Sequence, residues 1–451
     1  MKNFISLVQR KQQQSSTTGQ KNIAGLEGLR AFAALGVVTL HTTYLIGHAL
    51  FNEYTYPWLA SFWVFGNTGV QLFFVLSGFL LFLPYARAML FQERWPKTRT
   101  FYMRRALRIL PGYYFSLLLL VFFVQRTYLL PNHWPQLFLF LTFFMESSPA
   151  TFRQINVPYW SLGTEVQFYL LLPFVSLGIY ALVKRVAHSP EKRLQVALLT
   201  CAALIVIGLA VRYVGLHVPS GGIGFPGVLL SIGQFFLFGV TGKYWEDFAI
   251  GMAVSLCFVY AQHPERGRSL RERVKRLSWL SGLAALVVLT FCAFWNFRTS
   301  YPTPQLDFLL PFVPYRAWLL DFVVALGWGL LIATIVFGNP FFKAPFETRL
   351  MRSLGTISYA IYLWHFPLLS IFRKYVFAHL AVTSVPLSFL LYGSFFALVV
   401  LPWCAGVYYF VERPFMLLKD RRPPGQKRVE TGPPPGVQEK DLLVASPEKT
   451  A

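Results

Sequence analysis

Acidic side chains are scarce in this 451-residue chain, with 19 Asp and Glu against 41 Lys and Arg. Charge of either sign is scarce, at 13% of residues, while 55% are hydrophobic. Soluble domains carry about 25% charged residues, so the composition argues against one. Cysteine is scarcer still. Cys201, Cys257, Cys292 and Cys404 stand singly in apolar runs, which implies neither a disulfide framework nor a metal site. The regular alternation of an outer-membrane β-barrel is missing. No apolar core precedes a small-residue cleavage site near Met1, so no cleavable signal peptide is expected. No internal repeat is evident, which counts against the inverted-repeat transporter plans. The net charge of +22 would suit nucleic acid, but the basic residues lie between apolar runs and in the tail. There they report topology, and no nucleic-acid partner is expected.

What is present is a series of apolar runs of spanning length. The expected fold class is all-α: a polytopic integral membrane helix bundle of about ten transmembrane helices, at 24–48, 66–90, 110–124, 162–183, 194–213, within 227–262, 278–297, 318–337, 353–377 and 385–411. The third run reaches back to Ala106 if it is to span. The stretch 134–145 is too short to cross and reads as re-entrant or interfacial. Residues 1–21 read as a disordered leader, 22–416 as the membrane domain, and 417–451 as a disordered Pro-rich tail. The basic connections 84–109, 184–193, 263–276 and 338–352 and the stretch 419–428 fall on one side if both termini are cytoplasmic. The positive-inside rule therefore orients the bundle as a multi-pass cell-membrane protein.

Ionisable residues inside these runs are the functional candidates, because a charge in hydrocarbon costs several kcal/mol unless it faces a packed or wet interior. The first run carries Arg30 and His41. Eleven residues at about 100° each bring both onto one stripe, about 16 Å apart along the axis. Snorkelling of Arg30 and a structural hydrogen bond for His41 are the plain alternatives. Arg104, Arg105 and Arg108 precede the third run, with Arg104 and Arg108 expected on one face, and would suit a phosphate-bearing ligand or ordinary anchoring. Ser77 and Gly78 sit near mid-depth of the second run, where a small pair permits close helix approach or a narrow acyl passage. Trp160 reads as an interface aromatic and Ser161 as a helix cap. Glu165 then falls in the first turn, at the depth of His41, as an orienting acid or a helix-dipole partner. Ser358, Tyr362 and His365 share one face of the ninth run, and Glu412 and Arg413 close the last one.

Six motifs in order resemble the acyltransferase-3 family of multi-pass bacterial O-acyltransferases. They are Arg30-x10-His41, F-F-V-L-S-G-F at 73–79, R-R-x-x-R-I-x-P at 104–111, W-S-L-x-x-E-x-x-F-Y at 160–169, S-Y-x-I-Y-L-W-H-x-P at 358–367 and V-E-R-P at 411–414. The resemblance implies an acyl-CoA donor, usually acetyl-CoA, taken from the cytosol, and a hydroxyl acceptor on an extracytoplasmic glycan. It implies His41 as the essential histidine with Arg30 as its partner, and Arg104, Arg105 and Arg108 as CoA-holding residues beside Ser77 and Gly78. Glu165 becomes catalytic or acceptor-positioning. Acceptor-side candidates are Trp160, Ser161, Tyr169, Tyr362 and His365, and no metal is implied. Some relatives carry a hydrolase-like domain after the last helix; here a short polar tail follows, so the expectation is that either this chain delivers the acyl group itself or a separate extracytoplasmic transferase is its partner. The competing expectation is a transporter or flippase for a lipid-linked sugar that uses the same buried ionisable groups.

Overall fold

The computed structural model describes residues 25–217 and 225–418. The expected leader, and all of the expected tail but its first two residues, lie outside that range. Ten helices organise the described chain: α1 (Leu26–Ile46), α2 (Gly69–Phe91), α3 (Thr98–Phe123), α4 (Tyr159–Val186), α5 (Pro190–His217), α6 (Trp245–Gln262), α7 (Ser278–Ser300), α8 (Arg316–Val336), α9 (Ser358–Tyr375) and α10 (Val385–Leu418). Eight helices among the described residues are long and apolar enough to cross a membrane, or nine if the bent pair at α9 is one span. The remaining member of the expected ten is α6, which has 18 residues and opens on buried Glu246 and Asp247. The all-α, polytopic class holds.

Several boundaries differ from the sequence reading, each for a local reason. α3 begins at Thr98 rather than near Leu110, so the arginine cluster is helical. Arginine propagates a helix nearly as well as alanine and gives no stop signal. α4 begins at Tyr159 directly after Pro158, which places Ser161 inside its first turn and Glu165 beyond it. Neither the expected serine cap nor a dipole role for Glu165 survives that shift. The ninth run is broken at Ile357, where a short helix, Arg349–Thr356, meets α9 at 73°. Thr348 caps that short helix by accepting a hydrogen bond from the Met351 N–H. The stretch Trp134–Leu141 is a two-turn helix with no span of its own. α10 is continuous but contains two π-turns, Phe396–Val400 and Tyr408–Glu412.

The centre of the bundle is α2. Its membrane window is 78% buried inside the protein, against 17% for α5 and for α10. That depth depends on Gly78. A Cβ there would lie 2.2 Å from the Phe248 carbonyl oxygen of α6, and one on Gly251 of α6 would lie 2.1 Å from the Val75 carbonyl oxygen. Two glycines thus let α2 and α6 meet backbone to backbone, the small-residue contact that membrane helices use where lipid offers no hydrophobic drive. Gly78→Ala is expected to force the pair apart and cost about 1–3 kcal/mol or more. Gly393→Ala, whose Cβ meets nothing within 4 Å, is the control; equal melting temperatures in detergent would contradict this packing.

Candidate active site

The Arg30–His41 stripe of α1 faces into the bundle. His41 Nδ1 lies 2.8 Å from Nε2 of His365 on α9, and the two rings stack with centroids 5.1 Å apart at 16°. His365 Nδ1 lies 2.8 Å from the Ile361 carbonyl oxygen, one turn back on its own helix. A carbonyl only accepts, so this Nδ1 carries a proton and donates it. In a neutral ring, Nε2 of His365 is then an acceptor, and His41 Nδ1 must be the donor that fills it. The proton inventory leaves one free lone pair, on Nε2 of His41. His365 is fully buried, whereas His41 is half-buried, with the edge of Phe366 at 5.0 Å between centroids.

Toward the Arg30 end, hydroxyls and one carboxylate continue the polar seam. Tyr362, on α9 with its ring 6.1 Å from that of His365, shares a 2.5 Å hydrogen bond with Ser161 of α4. Glu165 accepts from Ser77 of α2 at 2.5 Å and from the Tyr169 hydroxyl one turn further along α4. Ser358 completes the expected face of α9, donating to the Gly355 carbonyl. Glu165 bonds Ser77 and Tyr169, while the ring that orients His41 is His365. The acid also lies within electrostatic reach of Arg30 and Arg105. Gly78 turns away from this seam to contact α6. Trp160 packs in an aromatic group with Phe152 and Tyr244, centroids 6.1 and 5.5 Å away.

The arginines divide differently from the helical-wheel expectation. Arg105 and Arg108 act on Arg30, while Arg104 is exposed. Arg104 and Arg105 together line a cavity of about 400 Å³ with Arg94, Lys97, Trp95 and Tyr85. Leu80 and Leu81 form its α2 wall, one helical turn from Ser77. Glu412, buried against Gly112, lies within electrostatic reach of Arg108, whereas Arg413 instead covers the Tyr409 ring at 5.5 Å. Cations around Arg30 thus outnumber the carboxylates that face them. Such a surplus suits a phosphate-bearing ligand.

Two further buried ionic groups escaped the sequence reading. Arg212 of α5 pairs with Glu246 of α6 at 2.8 Å and Asp321 of α8 at 2.6 Å, beneath the Tyr244 ring at 4.4 Å. Gln71 of α2 donates to the same Asp321 at 2.7 Å. Lys243 pairs with Glu146, which also accepts from Gln167 at 2.6 Å, tying the 142–158 loop to the entry of α6. The available signal was a charge inside an apolar run, as in L-A-V-R-Y-V and W-L-L-D-F-V.

No solved structure matches this chain. Curated sequences do. "Putative peptidoglycan O-acetyltransferase YrhL" of Bacillus subtilis (strain 168) is 28% identical over 375 residues, covering 78% of this chain and 49% of the relative. Peptidoglycan O-acetyltransferase OatA of Listeria monocytogenes is 25% identical over 378 residues, covering 78% and 50%. O-acetyltransferase OatA of Staphylococcus aureus is 21% identical over 381 residues, covering 78% and 51%. The chain spans about half the length of the curated relatives it matches. The acyltransferase domain model matches residues 23–409, which take in α1 through α9 and reach into the second π-turn of α10. Every residue of the histidine pair and the arginine group falls inside that match, and the chain belongs to this acyltransferase family of multi-pass membrane proteins.

Proposed function

We propose that this protein is an integral-membrane O-acetyltransferase that moves an acetyl group from cytosolic acetyl-CoA to a hydroxyl of an extracytoplasmic glycan, with both termini of the chain in the cytosol. The observation that carries the reading is the His41–His365 pair, which leaves a lone pair on His41 Nε2 along the same helix stripe as Arg30. On this reading CoA docks at Arg104 and Arg105, its phosphates drawn by the cationic surplus and its adenine offered Trp95 and Tyr85 as an apolar wall. Arg30 and Arg108 hold the inner end of the donor.

His41 Nε2 takes the proton of the acceptor hydroxyl, whose oxygen attacks the thioester carbonyl carbon. The carbon–sulfur bond breaks, and the thiolate leaves with the proton that the imidazole took up. His365 holds the His41 ring and its tautomer; Glu165, tied to Ser77 and Tyr169, positions the passage between α2 and α4. That passage is bridged by the Ser77–Glu165 hydrogen bond, which supports a short acyl group over a long one. Family membership supports an acyltransferase over a flippase, and the relatives' names support O-acetylation of a cell-envelope glycan. Residues 22–416 form the catalytic body on this reading, with 1–21 and 417–451 as cytosolic extensions.

Thiol release by purified protein across acyl-CoA lengths tests the donor. Acetyl-CoA is expected to be consumed fastest, and Arg105→Gln to raise its KM about 10–100-fold, the worth of a hydrogen bond to a charged group. Sugar movement in vesicles without thiol release would replace this reading by the transporter one.

A further inference from the structure

Arg153 has no role in the chemistry above, yet the loop that carries it is tied to α9 beside His365. It lies in the 142–158 loop with φ of 56°, in the left-handed region that an arginine rarely adopts. Five non-glycine residues among those described have positive φ, and three of them, Phe143, Arg153 and Tyr244, belong to this loop or the segment packed on it. Such strain persists only where the surroundings over-determine it, and it gathers at ligand clamps. Here the surroundings do so. Thr151 donates to the Met145 carbonyl at 2.7 Å, and Asn156 Nδ2 donates to the Leu363 carbonyl at 2.8 Å, two residues before His365. Glu146 and Lys243 clamp the base of the loop.

The Arg153 side chain is exposed, its guanidinium 4.9 Å over the Phe152 ring, and Phe152 packs in turn against Trp160. Among the described residues no carboxylate pairs with it. Its charge nevertheless reaches both His41 and Tyr362. A guanidinium stacked on an aromatic ring, without a carboxylate partner and within electrostatic reach of the base, suits an anion.

We infer that Arg153, with Phe152 and Trp160, forms a subsite for an anionic group, carboxylate or phosphate, carried by the acceptor glycan near the hydroxyl that is acylated. The inference rests on the acyltransferase reading and names the substrate class of that same site.

The test uses the full chain in nonionic detergent with acetyl-CoA and three soluble oligosaccharides: neutral, uronate-bearing and phosphorylated. Wild-type protein is expected to prefer an anionic acceptor, the carboxylate and phosphate arms deciding which. In Arg153→Gln the ratio of neutral to anionic KM is expected to fall about tenfold or more, with the change confined to KM, and Arg153→Lys to restore part of it. A preference unchanged in Arg153→Gln overturns the inference, as does an equal fall in kcat for every acceptor, which would mark a structural or oxyanion role. A preference that emerges only in nanodiscs containing anionic phospholipid assigns the guanidinium to a headgroup and overturns it too. Absence of acyl transfer from wild-type protein to any glycan brings down the enzyme reading itself; transfer without anion selectivity brings down this inference alone.

Discussion

His41→Ala is expected to lower kcat for acyl transfer by about 10²–10⁴-fold, the range that a positioned general base supplies. The loss should appear in kcat and kcat/KM alike, because a proton moves to Nε2 only in the transition state. Donor KM should stay close to wild type, since the arginines that would hold CoA lie at the other end of α1. His41 is half-buried, so a monodisperse elution profile in detergent is expected to survive the change. His365→Ala should act more weakly than His41→Ala, because it removes the acceptor that fixes the His41 tautomer and not the base itself. Thiol release and acceptor acylation, measured together, check both variants. Full activity in His41→Ala would remove the base from the mechanism.

Arg212→Met is expected to be the most damaging change to the fold. Arg212 is 2% exposed and is the only cation ion-paired, among the described residues, to Glu246 and Asp321. Asp247 beside them is fully buried, and neither of its side-chain oxygens has a hydrogen-bond partner. Removing the guanidinium leaves that acidic group inside a helix bundle with nothing to neutralise it. Breaking a buried pair in this way costs about 3–5 kcal/mol. The expected result is aggregation or a lowered melting temperature in detergent, whatever the activity of the surviving fraction. A double change that removes charge on both sides, Arg212→Met with Asp321→Asn, should recover part of the loss. A single variant that melts like wild type would mean that the acids are already neutral.

The helices themselves were legible because hydrocarbon leaves the backbone no other partner, so long apolar runs had to be helical. Their ends were not, wherever a run passed smoothly into arginines, as at Thr98, or began on a proline, as at Tyr159. The stripe joining Arg30 to His41 followed from the helical repeat alone. The partner of His41 did not, because His365 is 324 positions away and nothing local in either segment pairs them. Glu165 is level with His41 only for an α4 that starts at Leu162; with the start at Tyr159 it falls about one turn further into the helix, within electrostatic reach of Arg30. Gly78 was legible as a small residue, but which of its two uses applied depended on α6. Arg153 stayed invisible, since a loop arginine carries no signal until its backbone conformation and its neighbours are known.

The two widened turns of α10 matter more than their size suggests. Each inserts about one residue beyond the α-helical count and so rotates everything downstream by about 100°. Glu412 ends the second of them and points inward, against Gly112. Trimming one residue from Phe396–Val400 would leave a helix nearly as long and as oily, yet swing that carboxylate toward the acyl chains of the bilayer. In this last helix, phase rather than length is what an insertion or deletion would put at risk.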